Sequence, residues 1–481
     1  MRASLFLFGS CDVDRPGRHR ADAGDETSCH SHEHPRLALD FRHGDDSELT
    51  VGGKRRDLST FVETIRLSRD GVVLVLTRIW DSNLASPIDE VVSSDLGLRG
   101  VERGASFSGL SPVGFRRFVA LDEHDAPELL VRMSKEQLPV DGERYGIVSR
   151  LIARPGVQVM DLAVAAIEKL CRSCRIDSRE LGAIVLSSRI YEVEQTASAI
   201  VRRLGLTCEA HGLERACSGF PAATELAAGL CSRLQQPVSL VASEVISGSI
   251  NWEPTRGDLG DHRRARGQAA KLFGDGAAAV LVEPCGNGAM HRILHAWAGD
   301  VRDDDQLIQK TEVIDALDPW GRVWPGITTC ISMPGRRGLL LVRRAPQIMA
   351  ESVRKSIEHA RAAGLLGDDL RVTHVVPHQA NALILAGLQA QFSNDPKSPL
   401  VWNCIAHTGN TVSASIPLAM ATVQDQLPAG SLVAMPSVGA GGPGYRPDVL
   451  STGCVLVRMS EGTASGGLFR SSRRETDKWI G

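Results

Sequence analysis

Two long stretches of the chain carry the same hydrophobic rhythm. In MDLAVAAIEKLCRSCRIDSRELGAIVLSS, Met160, Val164, Ile167, Cys171 and Cys174 recur at helical spacing, so they share one face of a helix, and the apolar run AIVLSS after them predicts a buried strand. In IMAESVRKSIEHARAAGLLGDDLRVTHVVPH, Met349, Val353, Ile357 and Ala360 repeat the plan, followed by Gly/Asp punctuation and the strand VTHVVPH. Each half then offers a matching pair of strands: SLVASEV and KLFGDGAAAVLVE in the first, SLVAMPS and STGCVLVRM in the second. Two halves with the same order of helix and strand signals point to a duplicated α/β unit, packed as two sheets with helices on their faces and between them. The boundaries drawn from this pattern are an N-terminal extension over 1–72, flexible in part, a first half over 73–285, a second half over 286–459 and a polar tail over 460–481. Residues 12–57 lack apolar periodicity. GVVLVLTRIW predicts a buried strand, and SPIDEVVSSDLGL a loop entering a short helix.

Composition narrows the function classes. With 481 residues, 43% hydrophobic and 23% charged, the chain is long enough for deep cores, and a net charge of −3 excludes a polycationic surface for nucleic acid or anionic lipid. No apolar run reaches the roughly 18 residues a membrane span needs, and the apolar part of MRASLFLFGSC is too short for an export signal. The eleven cysteines follow no paired spacing, so free thiols in a cytoplasmic setting are expected. Cys29, His30, His32 and His34 in CHSHEHP have no second ligand group at finger-like spacing, and no metal is assigned to them.

Three residues stand out for chemistry. Cys217 lies in LERACSGFPAATELAAGL, in a small-residue turn ahead of a helical Ala/Leu pattern. Asn410, in HTGNTVSASIPLAM, is taken as its counterpart in the second half, and His378 and Asn381, in VVPHQAN, follow a strand where chains in α/β sheets leave the carboxyl edge and ligands bind. Halves related by a pseudo-two-fold bring Cys217 and Asn410 together at buried helix N-termini. There unpaired N–H groups and the dipole are expected to lower the thiol pKa. Small residues beside Cys217, with Gly441 and Gly442 in GAGGPG, are candidate suppliers of oxyanion-holding amides. Each residue alone has a bland reading: a core cysteine, a loop histidine after proline, a turn asparagine after glycine. His374 and His407 are read as structural.

ACSGF, FGDGAAAVLVE, VVPHQAN and GNTVSASIPLAM, in that order over roughly residues 74 to 459, resemble the motifs of the β-ketoacyl-acyl-carrier-protein synthase III group of the thiolase-like superfamily. The resemblance implies a five-layered αβαβα fold, a homodimer, no permanently bound cofactor, and thioesters of coenzyme A or acyl carrier protein as substrates. It also implies that Cys217 takes up the acyl group while His378 and Asn410 stabilise the enolate from a decarboxylating malonyl thioester. Arg144, in ERYGIVSRLIA, matches an arginine that contacts coenzyme A. The tryptophan usual a few residues earlier is absent and Val140 lies there, and in place of an arginine that helps dock carrier protein stands Leu383. The longer segment before YGI is similar to thiolase-like enzymes that join two long acyl chains. YEVEQTAS is placed as a loop where a dimer partner lines the acyl pocket, with Glu192 and Glu194 read as exposed loop carboxylates. The leading expectation is a decarboxylative Claisen condensation in polyketide or fatty-acid-derived metabolism. The rivals are an acyltransferase to a hydroxyl or amine and a non-catalytic partner subunit.

Overall fold

The computed structural model describes residues 48–51, 54–57, 61–69, 72–80, 111–134, 137, 143–190, 192–252, 269–286, 291–303, 306–332, 335–393, 397–440 and 448–460. The chain divides into two compact units, residues 1–100 and 101–481. In the first, β1 (Glu48–Val51) pairs antiparallel with β2 (Lys54–Asp57), and β3 (Phe61–Arg69) with β4 (Val72–Trp80). The strand expected in GVVLVLTRIW is therefore present as β4, in a hairpin with β3. CHSHEHP and SPIDEVVSSDLGL lie outside the described residues.

The second unit is built on ten strands: β5 (Val113–Ala120), β8 (Ala183–Ser187), β9 (Glu209–Leu213), β10 (Val238–Glu244) and β11 (Gly276–Pro284) from the first half, and β12 (His291–Arg302), β15 (Val372–Val375), β16 (Leu400–Val401), β17 (Leu432–Ala440) and β18 (Val449–Arg458) from the second. The numbers between these belong to two hairpins, β6 (Leu130–Ser134) with β7 (Ser149–Ala153) and β13 (Gln309–Leu317) with β14 (Val323–Ser332). The hydrogen-bonded order β16-β15-β17-β18-β12-β5-β11-β10-β8-β9 reads the same from either end once halves are exchanged. This is the duplication seen in the sequence. The expected pair of separate sheets is corrected in one respect: the two arrays join edge to edge where His291 and Arg292 of β12 pair with Phe115 and Gly114 of β5.

Helices complete five layers. α1 (Val159–Cys174) and α2 (Val193–Arg203) cover the outside of the first array, and α4 (Gly335–Ala362) with α5 (Ala382–Phe392) the outside of the second. α3 (Gly219–Leu234) and α6 (Ser415–Val423) fill the middle: α3 packs on β8, β10 and β11 and also on β12 and β18, while α6 packs on β5 and β11. The amphipathic pattern of α1 is rotated relative to expectation. Leu162, Ala163, Ala166, Ile167, Leu170, Cys171 and Cys174 are buried, while Met160 and Val164 sit at the flank. α4 begins at Gly335, well before the periodic stretch, and carries Pro346 in its interior. Its Met349, Val353 and Ala360 are buried as expected.

The two central helices start alike. Ala216–Ser218 and Val412–Ala414 each form a 3-10 turn leading into α3 and α6, and each turn opens on a non-glycine residue at positive φ, Ala216 at 43° and Val412 at 51°. Pro221 and Pro417 each occupy the third position of the helix that follows, in the first turn, where the missing N–H costs nothing. This register pairs Cys217 with Ser413. Asn410 precedes its turn, so the expected equivalence of Cys217 and Asn410 is corrected by three residues.

Candidate active site

Cys217 is the middle residue of its turn and is half-buried. Its sharp presentation follows from the left-handed Ala216, a conformation that costs an L-residue about 1–3 kcal/mol and persists only where packing enforces it. Gly439, near the end of β17, closes one side: a Cβ there would lie 2.5 Å from Cys217 Cβ, 2.9 Å from its sulfur and 3.0 Å from its backbone nitrogen. Only glycine lets the strand approach the thiol this closely. Gly441 and Gly442, the residues singled out in GAGGPG, lie outside the described residues; the glycine that touches the Cys217 thiol is Gly439, the first of the same segment.

Burial pushes the Cys217 thiol up to about 12, and the nearby Glu244 carboxyl adds to this against Arg189 and a backbone hydrogen bond. The expectation of a lowered pKa is therefore corrected. Desolvation outweighs the one backbone hydrogen bond and the Arg189 charge that act to lower it.

His378 and Asn410 come from the second half. The His378 N–H donates to the Pro436 carbonyl at 2.8 Å, fixing the loop after β15 to β17. The ring is 1% exposed, and burial lowers its pKa to about 3 against a hydrogen bond to the Val412 backbone, so it is neutral. Nδ1 lies 2.5 Å from Ser415 Oγ, at the start of α6. The Gln379 N–H donates to the same oxygen at 3.3 Å. Which of Nδ1 and the serine hydroxyl donates in this pair is set by the imidazole tautomer; with the serine as donor the ring proton sits on Nε2. Asn410 is 6% exposed, and its Oδ1 accepts the Val412 N–H at 2.9 Å. The side-chain oxygen is thus occupied, and the NH₂ group is the end with donors to give. Its backbone is held as firmly: Asn410 N–H donates to Leu272 O at 2.8 Å and Gly274 N–H to Asn410 O at 3.1 Å, tying it to the FGDG segment.

Val412 links all three residues. Its N–H holds Asn410, its backbone bonds His378, and its turn lies against the Cys217 turn. The turn that carries the half-buried thiol thus lies against the turn whose Val412 binds both a neutral imidazole and a carboxamide. Such a set suits acyl transfer to sulfur and stabilisation of a developing oxyanion or enolate.

The other sequence candidates sit at the margin. Arg144 is exposed in a 3-10 turn over Glu143–Tyr145, and Gly146 beside it packs so tightly on the start of α5 that a Cβ would come 2.6 Å from Ala382 Cβ. Asn381 caps α5, its Oδ1 accepting the Ile384 N–H at 2.9 Å, which engages the oxygen in helix capping. Leu383 is 41% and Val148 47% exposed. Val140 lies outside the described residues. YEVEQTAS is corrected from loop to helix: α2 starts at Val193, Glu194 lies in its first turn and accepts the Gly212 N–H at 2.9 Å, and Glu192 occupies the capping position. His407 Nδ1 meets Ser149 Oγ at 3.1 Å, and His374 stacks on Trp402. No helix among the described residues is long and apolar enough to cross a membrane.

Family models of 3-oxoacyl-[acyl-carrier-protein] synthase III and of its C-terminal part match residues 212–299 and 361–458. A β-ketoacyl-[acyl-carrier-protein] synthase III 2 of Streptomyces coelicolor is 31% identical over 307 residues, 62% of this chain and 81% of the relative. A 3-oxopimeloyl-[acyl-carrier-protein] synthase of Rhodothermus marinus is 30% identical over 62% of this chain and 81% of its own length. Among solved structures, a 3-oxoacyl-(acyl carrier protein) synthase III of Pseudomonas aeruginosa PAO1 superposes with a TM-score of 0.52 at 24% identity, over 73% of this chain and 99% of the other. An OleA variant of Xanthomonas campestris gives 0.55 at 18% identity, over 74% and 99%. These likenesses show the fold.

Proposed function

The chain belongs to the 3-oxoacyl-[acyl-carrier-protein] synthase III family of condensing enzymes, whose reaction is a decarboxylative Claisen condensation, and from that premise we propose that Cys217, His378 and Asn410 carry the reaction here. In the loading half, the Cys217 sulfur loses its proton and attacks the carbonyl carbon of an acyl thioester. The carbon–sulfur bond to the carrier breaks, and the carrier leaves as a thiol with that proton. Backbone amides at Cys217 and next to Gly439 are the proposed holders of the oxyanion. In the second half, the malonyl thioester oxygen receives hydrogen bonds from His378 Nε2 and Asn410 Nδ2. The bond to its carboxylate breaks, carbon dioxide leaves, and the enolate carbon attacks the acyl carbon on Cys217. Collapse of the adduct breaks the bond from the acyl carbon to the Cys217 sulfur, and the sulfur leaves as a thiolate that takes up one proton from water.

The observation that carries this reading is the locked orientation of both donors: Val412 N–H holds the Asn410 oxygen and Ser415 holds Nδ1 of a neutral His378. The other neutral tautomer, with its proton on Nδ1, or a flipped amide would present an acceptor instead of a donor. The names of the relatives support thioesters of acyl carrier protein as substrates; coenzyme A thioesters as the other carrier class, a homodimer, a cytoplasmic setting and no resident cofactor are further parts of the proposal. Exposed Val148 and Leu383 beside Arg144 support a carrier contact less basic than an arginine pair offers. The decisive experiment measures intact mass after incubation with acyl-coenzyme A and acyl-carrier thioesters, together with labelled carbon dioxide release from malonyl thioesters. An acyl adduct on Cys217 with carbon dioxide release is expected. Acylation of an alcohol or amine with no carbon dioxide from any malonyl-type thioester overturns the condensing reading.

A further inference from the structure

The Asn410 amide is only as well placed as the segment that carries it, and that segment is held from the first half of the chain. The β6–β7 hairpin supplies the grip. Val148 N–H donates to Ala406 O at 2.8 Å, Arg132 Nη1 donates to His407 O at 2.6 Å, and Ser149 Oγ meets His407 Nδ1 at 3.1 Å. Next along β7 stands Arg150, which is 1% exposed and carries a permanent charge. A buried charge is costly unless it is engaged, and Arg150 is engaged on two sides. Its Nη1 donates to Ala270 O at 2.5 Å and to Phe273 O at 2.9 Å, and the guanidinium carbon lies 5.6 Å from the centre of the buried Trp252 ring. The two carbonyls bracket Leu272, whose own carbonyl accepts the Asn410 N–H, while Gly274 N–H donates to Asn410 O and Phe273 forms a parallel bridge with Asn410. The arginine stem lies between the two segments: a Cβ on Gly274 would come 3.0 Å from Arg150 Cβ, and one on Gly409 would come 3.4 Å from its Cδ.

We propose that Arg150 is a positioning residue for the enolate donor: by clamping Ala270 O and Phe273 O it fixes the 270–274 segment to which the Asn410 backbone is bonded, and so sets where the Asn410 amide meets the substrate oxygen. Val412 and Arg150 divide the task. The Val412 N–H fixes the rotation of the amide, and Arg150 fixes the backbone from which the amide projects. The shape of the guanidinium matters as much as its charge, because one nitrogen serves two carbonyls while the planar group lies against an indole. A lysine ammonium on a flexible stem does not reproduce this. A donor to a developing oxyanion is effective only where the oxygen will be, so a small drift of the 270–274 segment weakens the hydrogen bond in the transition state. The first half thereby places a group that the second half supplies.

The inference rests on Asn410 as an enolate donor, and its first test needs no thioester. Hydrogen–deuterium exchange followed by mass spectrometry compares wild type with Arg150→Lys. Peptides over 270–276 and 405–412 should exchange faster in the variant, while peptides over β17 keep their rate. The second test is a double-mutant cycle on carbon dioxide release from a malonyl thioester. Arg150→Lys should lower release about tenfold in the wild-type background and less than about twofold in Asn410→Ala, where the amide it acts through is gone. Loading of Cys217, read by intact mass, should stay unchanged. Unchanged exchange overturns the proposal, and so does faster exchange that extends to β17, the mark of general loosening. An equal loss of release in both backgrounds overturns it as well. Should Arg150→Lys fail to fold, Arg150→Gln, which still offers N–H donors, is read in the same way, and failure of both to fold overturns the proposal in favour of a purely structural role. If wild type releases no carbon dioxide from any malonyl-type thioester, the functional reading falls, and the exchange result alone decides whether Arg150 places Asn410.

Discussion

The Cys217 turn and the Ser413 turn have nearly the same backbone and opposite fates. Both begin at a left-handed non-glycine residue, both run through a 3-10 turn into a helix with proline in its first turn, and both point at the middle of the molecule. One presents a thiol closed in on one side by Gly439. The other presents a hydroxyl that is already bound, to Glu244 and to the Ser187 carbonyl at 3.2 Å. Backbone shape alone does not make a nucleophile. What separates the two is whether the heteroatom is left for a substrate or used by the protein.

The sharpest way to break this comparison is to exchange the two heteroatoms. Cys217→Ser should abolish acyl loading measured by intact mass, and adding Ser413→Cys should not restore it, since the second thiol lies against Glu244 away from Gly439. An acyl adduct at position 413 would show that the turn, not its surroundings, makes the site. Next in size is Asn410→Asp. A carboxylate cannot donate and repels enolate charge, so carbon dioxide release should fall by about 10²–10³-fold. Loading of Cys217 should survive, because the first half holds the acyl oxyanion.

A smaller effect separates the halves by pH. His378, with a pKa depressed to about 3 from 6.5, contributes stability that is complete above pH 6.5 and is lost as pH falls toward 3, because the unfolded chain binds the proton first. His295, lowered to about 4 by burial and by His359, acts in the same direction. Glu244 works the other way: with its pKa raised from 4.5 to about 7, its contribution is complete below 4.5 and is lost as pH rises through 7. Thermal midpoints of Glu244→Gln should therefore gain on wild type between pH 5 and pH 8. A constant gap would mean that Glu244 keeps its ordinary acidity. The smallest effect concerns the strained residues. Ala216→Gly relieves a positive φ but removes one buried methyl, whereas Val412→Gly removes more, so the valine variant should be less stable by about 1 kcal/mol in denaturant unfolding.

Much of this was legible in the order of patterns along the chain. The repeated helix–strand plan became the palindromic strand order, and ACSGF and GNTVSAS became two turns lying against each other, with His378 bonded to the backbone of the second. The errors share a cause. Matching Cys217 to Asn410 paired residues by their chemistry, while Pro221 and Pro417 hold the register and select Ser413. The thiol pKa was misjudged because a helix terminus is visible in sequence, whereas Glu244 and the burial that outweighs it are tertiary facts. Gly439 was passed over for Gly441 and Gly442 because which glycine meets the sulfur depends on the packing of β17 against the turn. Glu194 was assigned to a loop because its polar neighbours hide a helix whose buried face is only Val193, Ala197, Ile200 and Val201.

The join between β5 and β12 has a consequence for how the molecule comes to be. Each five-stranded array is drawn from one continuous stretch of chain, and the edge pairing that unites them is confined to His291 with Phe115 and Arg292 with Gly114. Within each array the strands can zip up without waiting for the other, and docking of the halves around α3 and α6 comes afterwards. The proposed catalytic set straddles that docking event, with Cys217 in the first half and His378 and Asn410 in the second. On dilution from denaturant, far-ultraviolet circular dichroism should accordingly recover before Cys217 becomes competent for acylation. Simultaneous recovery of the two signals would mean that the halves fold as one cooperative unit.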